Sequence, residues 1–448
     1  MEFAVRSIRL LGYRAVTVVV AALISVVTAR WLGPEGLGIY WLIVFGSGLA
    51  VTVLGGAGSA IAYQISNRGR PPREAVATAL ALALGVGLVA LLLLGAVYLV
   101  SGDSSLWWLP VIGGALPLLL ASSALTWALL GADDHRNYNR AILAPSALTL
   151  SFLVLLLGPG QLANGGDSSV RLALAAWLLA QAGTVLWLLW IGRHDWLPPA
   201  LHAITPAGIG SIALFGLQTG LADVVSLLNY RVDVFILGLL KGPADAGIYT
   251  IAVQIADALW VVSSAIGVAI YARVGQLQRR EAAMLTARSM RHALFILTIL
   301  GIGAMILPSF VFPILFGDEY SSAIAPTRLL VPGIVIFGLG RIFSTFFTNG
   351  LGRPRIPLMI AATSLVICTV LSFALIPPFG MNGAAVATTV SYVVSMLLAI
   401  AIFSRETGIP PRQMLILTGD DLRDYAHVIR RLLAKLPSAG GRAVRGEP

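Results

Sequence analysis

Residues 75–100 read AVATALALALGVGLVALLLLGAVYLV, an unbroken run with no charged side chain. A helix rises about 1.5 Å per residue, so about 20 apolar residues cross the hydrocarbon core of a bilayer. This run exceeds that length. It lacks the period-two alternation of a barrel strand, which excludes a membrane β-barrel. The rest of the chain agrees: 58% of its residues are hydrophobic, 11% are charged, and mean hydropathy is +0.88. A soluble domain carries about 25% charged residues. Too few polar side chains remain to cover a water-facing surface, so lipid is the main solvent. The fold class is all-α integral membrane.

Working outward from that run, hydropathy places twelve spans, at about 10–29, 37–63, 75–100, 106–130, 140–158, 171–191, 208–240, 246–271, 290–316, 322–350, 355–377 and 381–404. The N-terminal MEFAVRSIRLLGYRAVTVVVAALISVVTAR has the basic, apolar, small-residue order of a signal peptide. With so many spans behind it, it reads as the first helix. The one cysteine, Cys368, lies in an apolar run, so neither a disulfide nor a thiolate metal cluster is available.

The net charge of +10 raises nucleic acid as a partner, but the placement of charge argues otherwise. Of 30 Lys and Arg residues, 24 fall in the N-terminus, the even-numbered connectors and the C-terminal tail; only Arg30, Arg171 and Lys241 fall in the odd-numbered connectors. That split is the positive-inside signature, with both termini cytoplasmic. No nucleic-acid partner is needed to explain it. In the tail, GDDLRDYAHVIRRLLAKL (419–436) sets Leu422, Tyr425, Ala426, Ile429, Leu432, Leu433 and Leu436 on one helical stripe flanked by basic residues. This predicts an amphipathic helix on the anionic cytoplasmic leaflet.

A phrase repeats. GPEGLGIY at 33–40 returns as GPADAGIY at 242–249, and GSAI at 58–61 returns as GVAI at 267–270, both at an offset of 209 residues. Each longer phrase falls in the external connector after the first span of a half. This predicts a parallel repeat: a lobe at 1–200, a second at 201–405, a cytoplasmic tail at 406–448, and a central cavity between two six-helix lobes. Gly-Pro ends one helix and turns the chain. The downstream tyrosine is expected at the membrane boundary.

Several stretches resemble one family. ARWLGPEGLGIYWL (29–42), YRVDVFILGLLKGPADAGIYTIAVQIADAL (230–259), ILFGDEYSSAIAPTRLLVPG (314–333), NGLGRPRIPL (349–358) and PPFGMNGAAVATTVSY (377–392) occur in the order seen in Wzx-type polysaccharide and O-antigen flippases. Multidrug and toxic-compound extrusion (MATE) transporters and the peptidoglycan-precursor flippase belong to the same superfamily. The resemblance covers about residues 10–405. It implies a transporter of twelve to fourteen spans that carries a lipid-linked oligosaccharide from the cytoplasmic to the outer leaflet of a bacterial or archaeal plasma membrane. A polysaccharide polymerase and chain-length machinery are the implied protein partners, beside membrane lipids.

Ionisable groups at helix centres cost about 2.5–3.5 kcal/mol on insertion scales, which makes each a functional candidate. From helical rise, Asp257 lies about 16 Å deep and Asp223 about 22 Å deep. Arg231 and Asp233 lie nearer the outer side and point apart if that segment stays helical. Spans 2 to 6 carry no charge at their centres, so buried charge is concentrated in the second half. A polyprenyl-pyrophosphate sugar is anionic, and the arginine fork binds phosphate oxygens bidentately while staying protonated. The expected substrate cations are therefore Arg14, Arg30, Arg231 and Arg341. Gln218, Asn229, Gln254 and Gln64 are candidates for sugar hydroxyls, or for helix-to-helix hydrogen bonds. Asp223, Asp233 and Asp257 balance the cations, and one of them is a candidate carrier of a coupling proton or sodium ion; the alternative is that Asp–Arg pairs only tie helices together.

No cofactor is expected. None of the five histidines belongs to a metal-spaced pair, and no Gly-rich phosphate loop with Lys-Ser/Thr is present. The chain reads as a transporter, not an enzyme. A MATE-type drug exporter should favour acids in the first half. A membrane glycosyltransferase should keep its catalytic acids in an interfacial loop, and the paired Asp133 and Asp134 of GADDHRNYNR (131–140) read as a solvated turn instead.

Overall fold

The computed structural model describes residues 2–158, 167–196, 200, 202, 204–419, 421 and 423; the side chains of 2–15, 54–57, 167–168, 207, 215, 218–219, 222 and 272 fall outside that description. Among these residues every long element is a helix. In the first part of the chain they are α1 (Glu2–Ser66), α2 (Pro72–Ser101), α3 (Trp108–Gly131), α4 (His135–Leu157), α5 (Asp167–Ile191) and the short α6 (Arg193–Trp196). They continue with α7 (Pro206–Lys241), α8 (Pro243–Asp257), α9 (Trp260–Gln276), α10 (Arg279–Ile306) and α11 (Pro308–Leu315). The last are α12 (Ile324–Phe337), α13 (Gly340–Thr345), α14 (Arg355–Thr407) and α15 (Pro411–Leu415). Among the described residues, nine stretches are long and apolar enough to cross a membrane. This is a multi-pass membrane protein. Its lipid-facing character is plain on α2, where Leu99 and Val100 are 78% and 87% exposed.

Two of the longest helices are bent rods. Gly33 (φ 66°, ψ 179°) breaks α1 just before Pro34, and Gly380 (φ 54°, ψ −132°) breaks α14 just after Pro377 and Pro378. Gly242 (φ 96°, ψ 173°) ends α7 in nearly the conformation of Gly33, and Pro243 opens α8. This region of backbone space is open essentially to glycine alone. The two copies of the repeated phrase therefore make the same turn.

They also meet. A Cβ on Gly38 would run into the Pro243 carbonyl oxygen and lie 3.1 Å from Gly247 N. A Cβ on Gly247 would run into the Pro34 carbonyl oxygen and lie 2.8 Å from Gly38 N. The second leg of α1 and α8 thus cross backbone to backbone, each through the glycine of the other copy, as small residues permit in lipid. One expectation is corrected by this crossing. Tyr40 and Tyr249 are only 2% and 0% exposed. Lying two residues past the crossing glycines, they are enclosed by the approaching helices and are not boundary anchors.

Cα packing divides the chain into two compact units. The first holds Met1–Ala258, Gly303–Ile334 and Leu358–Ser395. Its interior is built mainly by α1 to α5, with one apolar cluster around Leu32, Tyr40, Leu153 and Trp177 and another around Ile61, Leu125, Leu188 and Trp196. Close approaches again use glycine: a Cβ on Gly58 would strike the Trp127 ring, and one on Gly113 would lie 2.7 Å from Leu91 Cα. Asp134 caps α4 by accepting from Asn137 N at 3.1 Å, and the Asp133 side chain is 86% exposed. The paired acids form a solvated turn and helix cap, as expected.

The second unit holds Leu259–Ile302, Val335–Pro357 and Met396–Pro448. Its core is aromatic: Phe346 packs on Phe347 at 5.2 Å and on Phe403 at 5.0 Å, beside a π-helical turn at Phe346–Gly350. Glu406 takes Arg279 at 2.7 Å and Arg353 at 3.3 Å. Arg291 reaches the Gln413 carbonyl at 3.1 Å and the buried Asp421 carboxylate at 2.8 Å, which straps residues 413–421 onto α10. Burial works to raise the Asp421 carboxyl, but the Thr418 hydroxyl and N–H and the Arg291 guanidinium outweigh it and hold the group at about 2. The amphipathic helix expected at 422–436 lies outside the described residues.

Candidate functional site

The site grows from the C-terminal half of α7. Asn229 and Asp233 are four residues apart and share one face of the helix; Arg231, between them, points away. α7 stays helical through all three, so the arginine and the aspartate find different partners. Asp233 is 3% exposed. Its Oδ2 accepts from the Tyr249 hydroxyl at 2.6 Å and from the Thr388 hydroxyl at 2.6 Å, and its Oδ1 accepts from Val234 N at 2.9 Å. A carboxylate away from water needs such donors. The cluster ties α7 to α8 and to the second leg of α14. Cys368 lies in it, 3.6 Å from the Thr388 hydroxyl.

Asn229 is 2% exposed, and both atoms of its amide lack a hydrogen-bond partner. Its backbone carbonyl accepts from the Tyr392 hydroxyl at 3.3 Å.

Arg231 turns to the other side. Its Nη2 meets Asp257 Oδ2 at 2.7 Å, and its Nη1 donates to the Tyr230 carbonyl at 3.0 Å. Asp257 is the last residue of α8, beside a turn at 258–259 whose backbone stays right-handed helical and leads into α9. One turn before Asp257, Gln254 Oε1 accepts from the Ser25 hydroxyl, while Gln254 Nε2 is buried without a partner.

Arg231 and Gln254 line a cavity of about 70 Å³ between the second leg of α1, α7 and α8. Trp41 forms part of its wall, and the Trp41 Nε1 is also buried without an acceptor. Phe45 and Phe235, with ring centroids 5.2 Å apart, contribute apolar wall. The site therefore joins a partly buried ion pair to a small cavity with a largely apolar lining.

The other candidates fall elsewhere. Asp223 is exposed on α7. Arg30 donates from Nε to the Leu315 carbonyl at 2.7 Å and from Nη2 to the Ile314 carbonyl, so it covers the C-terminal end of α11, where a cation suits the helix dipole. Arg341 is exposed on α13, in the second unit. Gln64 accepts from Arg70 Nη1 at 2.8 Å at the end of α1. Arg14 and Gln218 have side chains outside the described set. Among the described residues no group of three His, Cys, Asp or Glu could hold a metal ion. Four participants escaped sequence reasoning: Trp41, Tyr249, Thr388 and Ser25. Two of them, Trp41 and Tyr249, stood in or beside the repeated phrase, and that was the available signal.

The pattern of a family described as polysaccharide biosynthesis protein matches residues 7–278, more than half of the sequence. The chain belongs to this family. A probable flippase of Haloferax volcanii, AglR, is 23% identical over 209 residues, which are 44% of this chain and 43% of that protein. An uncharacterized membrane protein of Methanocaldococcus jannaschii is 32% identical over 115 residues, 24% of this chain and 21% of that protein. These alignments span less than half of either relative. Among solved structures, the lipid II flippase MurJ in an inward closed conformation matches with a TM-score of 0.73 at 11% identity, covering 96% of this chain and 94% of MurJ. An inward-facing MATE multidrug transporter of the MOP superfamily matches with 0.70 at 17% identity, covering 87% and 94%. At such identities the likeness is one of fold, and the fold is that of MOP-superfamily transporters. Family and fold together make this a multi-pass membrane protein of the polysaccharide biosynthesis family with the fold of MOP-superfamily transporters.

Proposed function

We propose that this chain moves a polyprenyl-pyrophosphate-linked oligosaccharide from the cytoplasmic to the outer leaflet by alternating access, for cell-surface polysaccharide assembly. The observation that carries the reading is the Arg231–Asp257 pair at the end of α8, whose arginine lines a cavity. An anionic headgroup entering a low-dielectric region needs a cation that can exchange partners, and an arginine already desolvated beside a carboxylate meets that need. Pyrophosphate takes Arg231 from Asp257. Asp257, released, takes up a proton or a sodium ion, which couples the movement to an ion gradient. Asp233, satisfied by three donors, holds the helices in register; Asp223 is the second candidate ion carrier.

In this reading each leg of the two broken helices is a separate span, and with α7 the spans number twelve, in lobes at 1–200 and 201–405. Both termini lie on the cytoplasmic side, which the distribution of arginine and lysine supports. Arg14, Arg30 and Arg341 attract the headgroup along its path, and Asn229, Gln218 and Gln254 contact sugar. The glycan is delivered to a polymerase outside. The chain makes and breaks no covalent bond.

A strain lacking the protein should accumulate lipid-linked oligosaccharide on the cytoplasmic leaflet, and the wild-type gene should clear it. Normal export together with new sensitivity to cationic drugs would assign the chain to drug efflux instead.

A further inference from the structure

We infer that the start of α10 and the end of α14 hold a site for an anionic phospholipid of the surrounding bilayer, bound by its phosphate. The inference is independent of what the chain carries, and the site lies wholly within the second unit. Its centre is Glu406, which two arginines share. Oε2 takes Arg279 Nη2 at 2.7 Å, and Oε1 takes Arg353 Nη1 at 3.3 Å. Arg279 Nη2 also reaches the Glu406 carbonyl at 2.8 Å, which fixes its fork in place. Both arginine side chains nevertheless stay more than half exposed, at 55% and 53%. A guanidinium carries several N–H donors, and Glu406 occupies only part of each set, so donors remain for a further acceptor.

The charge around this carboxylate does not balance. Within two residues of the three partners stand Arg280, Arg355 and Arg405, all exposed, and a single further acid, Glu281. Five arginines thus gather around two carboxylates, and like charges held this close repel one another until an anion joins them. Membrane topology alone does not ask for this arrangement. A topogenic arginine needs only the correct side, whereas Arg279 and Arg353 are drawn to one carboxylate from 127 and 53 residues away. Stability does not ask for it either, because exposed ion pairs add little. A phosphate suits the place: guanidinium forks bind its oxygens bidentately, and clustered basic groups at a membrane boundary attract anionic lipid. The neighbouring apolar side chains choose a lipid over free phosphate. Met284, one turn along α10 on the face of Arg280, is 51% exposed, and Leu398, two turns back from Arg405 on α14, is 41% exposed. Both lie in stretches apolar enough to span the bilayer, so acyl chains cover them beneath the arginines.

The test titrates phosphatidylglycerol into phosphatidylcholine nanodiscs holding the full chain and counts the retained lipids by native mass spectrometry. The wild type should keep phosphatidylglycerol in preference to phosphatidylcholine, and release it as NaCl rises from about 0.05 to about 0.5 M. One arginine near an anionic surface is worth about fivefold in affinity, so Arg279→Gln with Arg353→Gln should weaken retention about 25-fold. Arg73→Gln with Arg136→Gln removes the same charge from the first unit and should leave the lipid bound. Glu406→Gln separates an anion site from a merely structural ion pair. It breaks both pairs, yet should keep phosphatidylglycerol at least as tightly as wild type, because a competing anion is gone. Should the Arg279 and Arg353 variant unfold, Glu406→Gln and the salt titration decide. Equal retention of both lipids, wild-type affinity in the Arg279 and Arg353 variant, or loss of the lipid in Glu406→Gln would overturn the inference. So would an equal loss in the Arg73 and Arg136 control, since the attraction would then be diffuse. Displacement by millimolar inorganic phosphate would make this a free-phosphate site, and displacement by equimolar polyprenyl pyrophosphate would make it a station for the carried lipid; either result contradicts the assignment.

Discussion

GPEGLGIY and GPADAGIY fold alike and are used differently. Gly33 and Gly242 make matching left-handed turns, Pro34 and Pro243 start the following legs, and Gly38 and Gly247 let each leg press on the other's backbone. After that the symmetry stops. The Tyr40 ring packs edge-on against Trp41 at 6.0 Å, whereas the Tyr249 hydroxyl holds the buried Asp233. Glycine and proline fix the path in both copies; a buried carboxylate, Asp233, meets the tyrosine of only one. An architecture can remain symmetric because backbone contact demands it, while side chains a few residues on are free to diverge.

The comparison breaks most easily at the crossing. Gly38→Val and Gly247→Val each drive a side chain into a carbonyl oxygen that cannot step aside, beyond the usual 1–3 kcal/mol of overpacking. Neither should yield a monodisperse species in detergent size-exclusion chromatography, whereas Gly48→Ala, with open space around its Cβ, should behave as wild type. A well-folded Gly38→Val would show that the two copies do not need to touch.

Next is the tyrosine pair. Tyr249→Phe removes one of three donors to a buried carboxylate and should cost about 1.5–3 kcal/mol. Tyr40→Phe should cost less than half of that, and thermal melts of the purified variants would compare them directly. Equal losses would return the two copies to the same role.

A smaller and equal effect is expected at the turns. Gly33→Ala and Gly242→Ala meet little or nothing in space, so only the backbone conformation resists them, by about 1 kcal/mol each. Unequal shifts in melting temperature would mean that the two turns bear different loads.

The smallest effect lies away from both copies, in the strap of residues 413–421. Asp421 sits at about 2 in the folded chain against about 3.9 when unfolded. Because the folded value is the lower one, its contribution is complete above about pH 4 and is lost as pH falls towards 2. Proteolysis at the C-terminal strap should be constant from pH 8 to 5 and rise only below that window; Asp421→Asn should be cut faster already at pH 7.

Helices, turns and the repeat were legible because lipid leaves so little choice: apolar length sets the spans, and Gly-Pro sets the breaks at 33–34 and 242–243. The divergence of Arg231 and Asp233 followed from their spacing on an unbroken helix. Their partners did not. Thr388 lies 155 residues from Asp233, and no local pattern announces a hydroxyl that reaches so far. Tyr249 was visible, yet its hydroxyl reads equally well as a boundary anchor until the glycine crossing is known to enclose it. The carbonyl partner of Arg30 at the end of α11 was equally hidden, being 284 residues away.

The central claim concerns Arg231 and Asp257. The most direct measurement places the purified chain in vesicles carrying a polyprenyl-pyrophosphate oligosaccharide on one leaflet and follows its exposure on the other with a glycan-binding lectin. The account predicts steady exposure by the wild type and at least a tenfold slower rate for Arg231→Ala. It also predicts a rate that no longer responds to a proton or sodium gradient for Asp257→Asn. Exposure at the rate of protein-free vesicles, or an Arg231→Ala variant as fast as wild type, would contradict it.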